Sequence, residues 1–324
     1  MRKNMKINKT ALIPLFLLSA GLRAETVFVT LEKDNALAVV DPVQGKLVKT
    51  IAIGQRPRGI SITPDNKFLL IAVSDENTIK KVDAETFKEV SRLPSGEDPE
   101  TFALSPNGDK VYVSNEDDSM VTVIDTAKNK AIKQVQVGVE PEGIGTSPDN
   151  QWIVSASETT NMLHWIDSKS LEIKENTLVD PRPRALSFTA DSQQLWATSE
   201  IAGTVMVLDS KTKQIIKTIK LNIPGITADN IQPVGVVIDN QRQRAYVATG
   251  PANRVAVINA QTYEVERYLL VGQRVWNLAF SPDQKRLYTT NGVSNDISII
   301  DLDGQKVVKS IAVGSYPWGV AVKP

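Results

Sequence analysis

The stretch Pro99–Val139, PETFALSPNGDKVYVSNEDDSMVTVIDTAKNKAIKQVQVGV, decides the fold. Short apolar runs (V-Y-V at Val111–Val113, V-T-V-I at Val121–Ile124) alternate with clusters of Gly, Pro, Asn and Asp. Alternating apolar residues bounded by turn formers read as β-strands joined by tight turns. One such unit holds four strands, a small antiparallel sheet that cannot hide both of its faces alone. Copies of its leading proline recur at Pro57, Pro99, Pro141, Pro183, Pro233 and Pro317, with Val275 in the proline position of the sixth copy. The steps are 42, 42, 42, 50, 42 and 42 residues. A fixed period near 40 with four strands per copy predicts propeller blades. The one longer step carries its extra residues in 221–231, in a loop that can overhang the channel as a partial lid or stand as a tolerated insertion.

The two ends of the chain set the blade count. Val27–Thr30, Ala36–Asp41 and Lys46–Ile53 match strands two, three and four of the unit, with no first strand ahead of them. Trp318–Val322 matches a first strand with nothing after it. The C-terminal strand therefore completes the N-terminal blade. The prediction is an all-β, seven-bladed propeller of four-stranded blades, closed as a ring and without free sheet edges at the join. The repeats run without a linker, so residues 25–324 read as one domain.

Ahead of that domain, Met1–Thr10 carries Arg2, Lys3, Lys6 and Lys9, and Ala11–Ala20 is an apolar run. This run is too short to span a bilayer and reads as the core of a secretory signal over residues 1–24, with Ala24 at the cleavage edge. Leu22 and Arg23 fit the small-residue rule poorly. A periplasmic protein is expected, with no membrane span after signal removal. Residues 25–324 hold 32 basic and 37 acidic residues, a net charge of −5, and no basic run. That balance argues against a nucleic-acid partner. The chain has no cysteine, which excludes disulfides, thiolate metal sites and covalent c-type haem.

In a blade of this kind the loop leading into strand one and the loop between strands two and three share a rim, and the tight turns occupy the other. Rims of long loops carry function on a rigid scaffold. The leading loops place Arg56 and Arg58, Asp98 and Glu100, Glu140 and Glu142, Arg182 and Arg184, Gln232 and Val234, Arg274 and Trp276, and Tyr316 and Trp318 around one mouth. The second set of loops adds Glu116, Glu158 and Glu200 from three adjacent blades, with Glu32 in the equivalent place of the first. Two chemistries fit these carboxylates. They can supply oxygen ligands to a Ca²⁺-like cation, or Arg56, Arg58, Arg182 and Arg184 can neutralise them in an ion-pair network. Trp276, Tyr316 and Trp318 beside Arg274 suit a protein contact or a flat ligand, and equally suit packing between blades. No catalysis is expected from the one histidine, His164, which falls on a third strand away from the channel.

The segments NEDDSMVTVID (115–125), SETTN (157–161), GPANRVAVINAQTYEV (250–265), LLVGQRVWNLAFSPD (269–283), TTNGVSNDISIID (289–301) and VGSYPWGVAV (313–322) resemble the YVTN-type β-propeller repeat. More narrowly, the chain resembles β-propeller proteins associated with pyrroloquinoline-quinone (PQQ)-dependent catabolism, from about Thr26 to Val322. That resemblance implies export and a place beside quinoprotein alcohol dehydrogenases, c-type cytochromes and transporter components. It implies no reaction. A dehydrogenase of the quinoprotein kind would call for a larger eight-bladed ring, its own tryptophan-docking repeat and commonly a vicinal cysteine pair, all absent here. The expected role is binding or scaffolding at the rim. The alternatives are a metal-assisted lactone or ester hydrolase and a protein that handles a quinone or tetrapyrrole in the channel.

Overall fold

A computed structural model describes residues 25–324 and resolves into seven four-stranded antiparallel sheets arranged as a ring. The expected signal segment lies outside the described residues. Strand Pro317–Lys323 pairs antiparallel with Thr26–Leu31, and Ala36–Asp41 and Lys46–Ala52 complete that sheet. The chain closes on itself as the repeats predict. We number this joined blade first, and the blades led by Pro57, Pro99, Pro141, Pro183, Pro233 and Val275 second to seventh. Each blade buries its two middle strands against its neighbours. Val27, Val29 and Ala38 of the first blade, for example, pack on Tyr288, Ile297 and Ile299 of the seventh. Those alternating apolar positions are what make an otherwise isolated sheet stable.

The innermost strands run round the channel and approach one another closely. A Cβ on Gly235 would lie 2.6 Å from the Trp276 carbonyl oxygen, one on Gly319 2.5 Å from that of Arg58, and one on Gly143 would collide with that of Arg184. Glycine is required at these positions because the next blade's backbone occupies the Cβ space. Blades without the glycine meet the same carbonyl with a donor. Thr101 Oγ1 bonds the Glu142 carbonyl, Thr198 Oγ1 bonds that of Val234 at 2.7 Å, and Thr290 Oγ1 bonds that of Trp318 at 2.6 Å. Across the join, Thr30 Oγ1 bonds the Arg58 carbonyl at 2.7 Å and accepts the Gly319 N–H at 2.8 Å. The far rim is made of Asx turns: Asp83, Asp125, Asp167 and Asp209 each accept two backbone N–H bonds.

The sixth blade departs from the pattern. Its inner strand is only Val236–Ile238, three residues after Pro233, where the other blades begin at the repeat's leading position. The insertion ahead of it is rooted in the core at both ends. Leu221, Ile223 and Ile231 are buried in a cluster with Trp196, Val205 and Val236, and the Asn222 N–H bonds Tyr268 Oη at 3.0 Å. The extra residues wedge between blades five and six because three of them are large and apolar.

Deleting Trp318–Pro324 removes most of the strand that joins the two ends. The truncated chain is expected to lose its cooperative thermal transition, and a melt matching that of the intact protein would refute the closure.

Candidate functional site at the channel mouth

A β-bulge follows the leading residue of every blade but the sixth, as at Pro57/Ile60, Pro99/Phe102, Pro141/Ile144 and Pro183/Leu186. A bulge re-aims the side chains beside it. The residue before the bulge sits in the left-handed region: Arg56 at φ 53°, Asp98 at 44°, Glu140 at 56°, Arg182 at 59°, Arg274 at 56° and Tyr316 at 60°. Non-glycine residues rarely hold this conformation unaided. Here the preceding blade holds five of the six. The Asn35, Asn77, Asn161, Asn253 and Asn295 side-chain oxygens accept the backbone N–H of Arg56, Asp98, Arg182, Arg274 and Tyr316 at 2.8–3.0 Å. Sequence reasoning passed over these asparagines. Their signal was present, since Asn35 and Asn77, like Asn253 and Asn295, stand 42 residues apart.

The predicted charged residues do come together, in two ion-pair groups. Arg56 bonds Asp98 at 2.8 Å and Glu100 at 2.7 Å, and Arg58 bonds the second oxygen of Glu100 while lying 3.5 Å from Glu32. Arg184 bonds Glu142 at 2.5 Å and Glu158, with Glu200 at 3.7 Å. Arg182 Nε lies 3.0 Å from both Glu158 and Glu200, and Arg274 reaches Glu200 at 3.6 Å and Gln232 at 3.2 Å. Glu100 is fully buried, and Glu142, Glu158, Arg184 and Glu200 are nearly so. Partly buried pairs of this kind are screened far less than surface ones, and removing one partner strands a charge.

Paired carboxyls lie inside this network. Burial first, then a hydrogen bond to Glu142 and that residue's charge, pushes Glu158 up to about 10, so Glu158 carries the proton of the pair. Burial opposes ionisation of Glu142 too, but Arg184 and the Glu158 bond hold it below the ordinary carboxylate value. Burial also raises Glu100 well above that value and raises Glu116 beside it. The acidic oxygens of Asp98, Glu100 and Glu116 lie within 4.8 Å of one another, a donor set of the hard-oxygen kind. Two of those three residues are already engaged by Arg56. Glu140 stands at the outer edge, half-buried, its carboxylate accepting the Thr159 hydroxyl.

The aromatic residues divide by exposure. Trp318 is buried in the channel wall with Arg58 5.4 Å from its ring. Trp276 is half-buried, with Arg274 at 4.4 Å and Arg184 at 6.0 Å from its ring. Its indole takes the space beside Gly292, where a Cβ would come within 2.5 Å of Nε1. Tyr316 lies 6.4 Å from Trp276 and carries Lys33 at 4.3 Å from its ring. Of the three, only Trp276 and Tyr316 keep exposed surface. Trp318 lines the cavity below them. Below the mouth is a cavity of about 170 Å³ walled by Glu142, Arg184, Trp276, Asn277 and Trp318 among others. His164 is far from all of this in bonding terms: Nδ1 pairs with Asn176 Oδ1 at 2.7 Å and Nε2 accepts the Gly138 N–H at 2.9 Å.

Two pH responses of opposite sign follow. The folded state holds Glu158 protonated, so its contribution is complete below the ordinary value of 4.5 and is lost as pH rises toward the raised one. The melting temperature is expected to fall on the alkaline side, and Glu158→Gln to flatten that fall. Burial lowers the His164 value, so its contribution is present above the ordinary 6.5 and is lost as pH drops below it. His164→Gln is expected to blunt the loss of stability in mild acid, read from the same melts.

The choice-of-anchor I domain family matches residues 114–313, and the YNCE-like beta-propeller family matches residues 69–150. No curated protein matches the chain. Three solved structures share the ring at a TM-score of 0.78 each. Hydrazine synthase of Kuenenia stuttgartiensis is 18% identical, over 85% of this chain and 92% of that one. A functionally unknown protein of Desulfotomaculum acetoxidans is 15% identical, over 92% and 98%. A protein of Bacteroides uniformis described as a candidate 6-phosphogluconolactonase is 15% identical, over 93% and 100%. At these identities the likeness is one of fold.

Proposed function

The chain belongs to the choice-of-anchor I domain family, and we propose that it is an exported, periplasmic propeller that recognises a partner or small ligand at its channel mouth. The observation that carries this reading is the division of the mouth into two layers. In the buried layer, Glu100, Glu142, Glu158 and Glu200 are tied to Arg56, Arg58, Arg182 and Arg184. In the outer layer Arg182, Tyr316, Trp276 and Glu140 keep accessible surface. The buried layer fixes shape and charge, and the outer layer supplies a mix of cation, aromatic and carboxylate suited to orienting an incoming group. The resemblance of the repeats to PQQ-associated propellers supports alcohol catabolism as the setting. A quinoprotein alcohol dehydrogenase, a c-type cytochrome or a transporter component are the partners it suggests.

A second reading has one observation in its favour. The close Asp98–Glu100–Glu116 oxygens can hold a hard cation and activate water against a lactone or ester. Hydrolysis of a δ-lactone by the purified protein, stimulated by Ca²⁺ or Mn²⁺ and lost in Glu116→Gln, would favour it over recognition alone.

The test of the first reading is genetic. A strain lacking the protein is expected to oxidise alcohol more slowly through its PQQ-dependent enzymes. Expression of the chain or of His164→Gln should restore the rate, whereas the double variants Arg182→Ala, Tyr316→Ala and Glu116→Gln, Glu158→Gln should not. Equal restoration by all of them would remove the mouth from the function.

A further inference from the structure

The rim cleft between blades four and five has unused hydrogen-bonding capacity. It has a volume of about 240 Å³ and is bounded by Glu140, Glu158, Thr159, Pro181, Arg182 and Ile201. Arg182 Nε lies 3.0 Å from each of its two carboxylates, and neither Nη1 nor Nη2 makes a hydrogen bond among the described residues. Its side chain is 44% exposed. A guanidinium edge of two parallel N–H groups matches a carboxylate in bidentate fashion. Glu158 Oε2, on a side chain 2% exposed, has no hydrogen bond either, because Arg182 Nε approaches it at 3.0 Å outside bonding geometry. That oxygen lies buried behind the Arg182 guanidinium at the base of the cleft, and buried polar atoms without partners are uncommon. Ile201 is 68% exposed, so a large apolar side chain stands beside the two polar features.

From these three features we infer that the cleft binds a small hydroxycarboxylate with a short alkyl chain. The carboxylate lies on Nη1 and Nη2 of Arg182 and draws the guanidinium outward, the hydroxyl donates to the Glu158 Oε2 so uncovered, and the alkyl group covers Ile201 and Pro181. The charges nearby permit it. Arg182, Arg184 and Arg274 face Glu140, Glu142 and Glu200, and the proton on Glu158 leaves that set neutral before a ligand arrives. The inference deepens the recognition reading and rests on it for the mouth being a binding surface. It adds the ligand class and the residues that select it.

Calorimetric or NMR titration of the purified protein tests it with three probes: 2-hydroxy-3-methylbutanoate, 3-methylbutanoate without the hydroxyl, and 2-hydroxy-3-methylbutanamide without the charge. The hydroxy acid is expected to saturate, and the amide to bind at least roughly tenfold more weakly, as loss of a charged hydrogen bond implies. Arg182→Gln should erase the difference between acid and amide. Arg182→Lys should recover only part of it, since the ammonium keeps the charge and loses the fork. Ile201→Ser, at an exposed position, should weaken all three probes and leave the melt unchanged. Equal binding of acid and amide, indifference to both Arg182→Gln and Ile201→Ser, or no saturation with the hydroxy acid would overturn the assignment. Binding that holds while alcohol oxidation in the deletion strain stays normal would instead remove the pathway and keep the site.

Discussion

The close approach of the seven inner strands around the axis is the constraint on which the rest of the molecule depends. Each leading strand offers a carbonyl one residue past its start, and the preceding blade receives it with a glycine or with a donor. Gly143 and Gly235 take the first course, Thr101, Thr198 and Thr290 the second, and the Arg58 carbonyl meets both, Gly319 and Thr30. The residues on either side of the leading position project toward the mouth, and the bulges aim them there. A crowd of Arg and Glu at one mouth is therefore a result of geometry as much as of chemistry.

Crowding of that kind has to be neutralised, because an unpaired buried charge costs several kcal/mol. The molecule meets the demand in two ways. Arginines from one blade reach carboxylates of the next, as Arg56 does to Asp98 and Glu100. Where carboxylates outnumber them, burial holds a proton on Glu158 and raises Glu100. These bonds also cross blade boundaries, so the network that settles the charge also ties the blades together.

Much of this was legible in the sequence, for a physical reason. A blade is a local unit of short strands and Asx turns, and each position recurs at a fixed step, so the strand Ala36–Asp41 was read with its observed bounds. The partners of rim residues were legible as a set, not as pairs. Which arginine meets which glutamate depends on bulges and on the left-handed backbone at Arg56 or Arg182, features that periodicity does not encode. Trp318 and Tyr316 look alike as aromatic residues flanking Pro317, yet one is buried in the channel wall and the other faces the rim, because the left-handed backbone at Tyr316 and the bulge after Pro317 break the alternation that would put residues two apart on one face. The insertion was open between a lid and a tolerated insertion, because periodicity says nothing of residues outside the repeat; Leu221, Ile223 and Ile231 had a core to enter.

A mouth organised this way separates stability from selectivity. Changes in the buried layer, such as at Arg184, strand a charge and act on the whole ring. Changes in the outer layer alter only what the rim can hold. Arg182 belongs to both: its Nε closes the gap between Glu158 and Glu200, and its side chain is still 44% exposed, with two nitrogens free of hydrogen bonds. One side chain thus links the charge balance of the core to the surface that meets a ligand. An occupant that engages those nitrogens with a carboxylate pulls on the same guanidinium that neutralises Glu200, so occupancy and the protonation of the Glu142–Glu158 pair are thermodynamically linked.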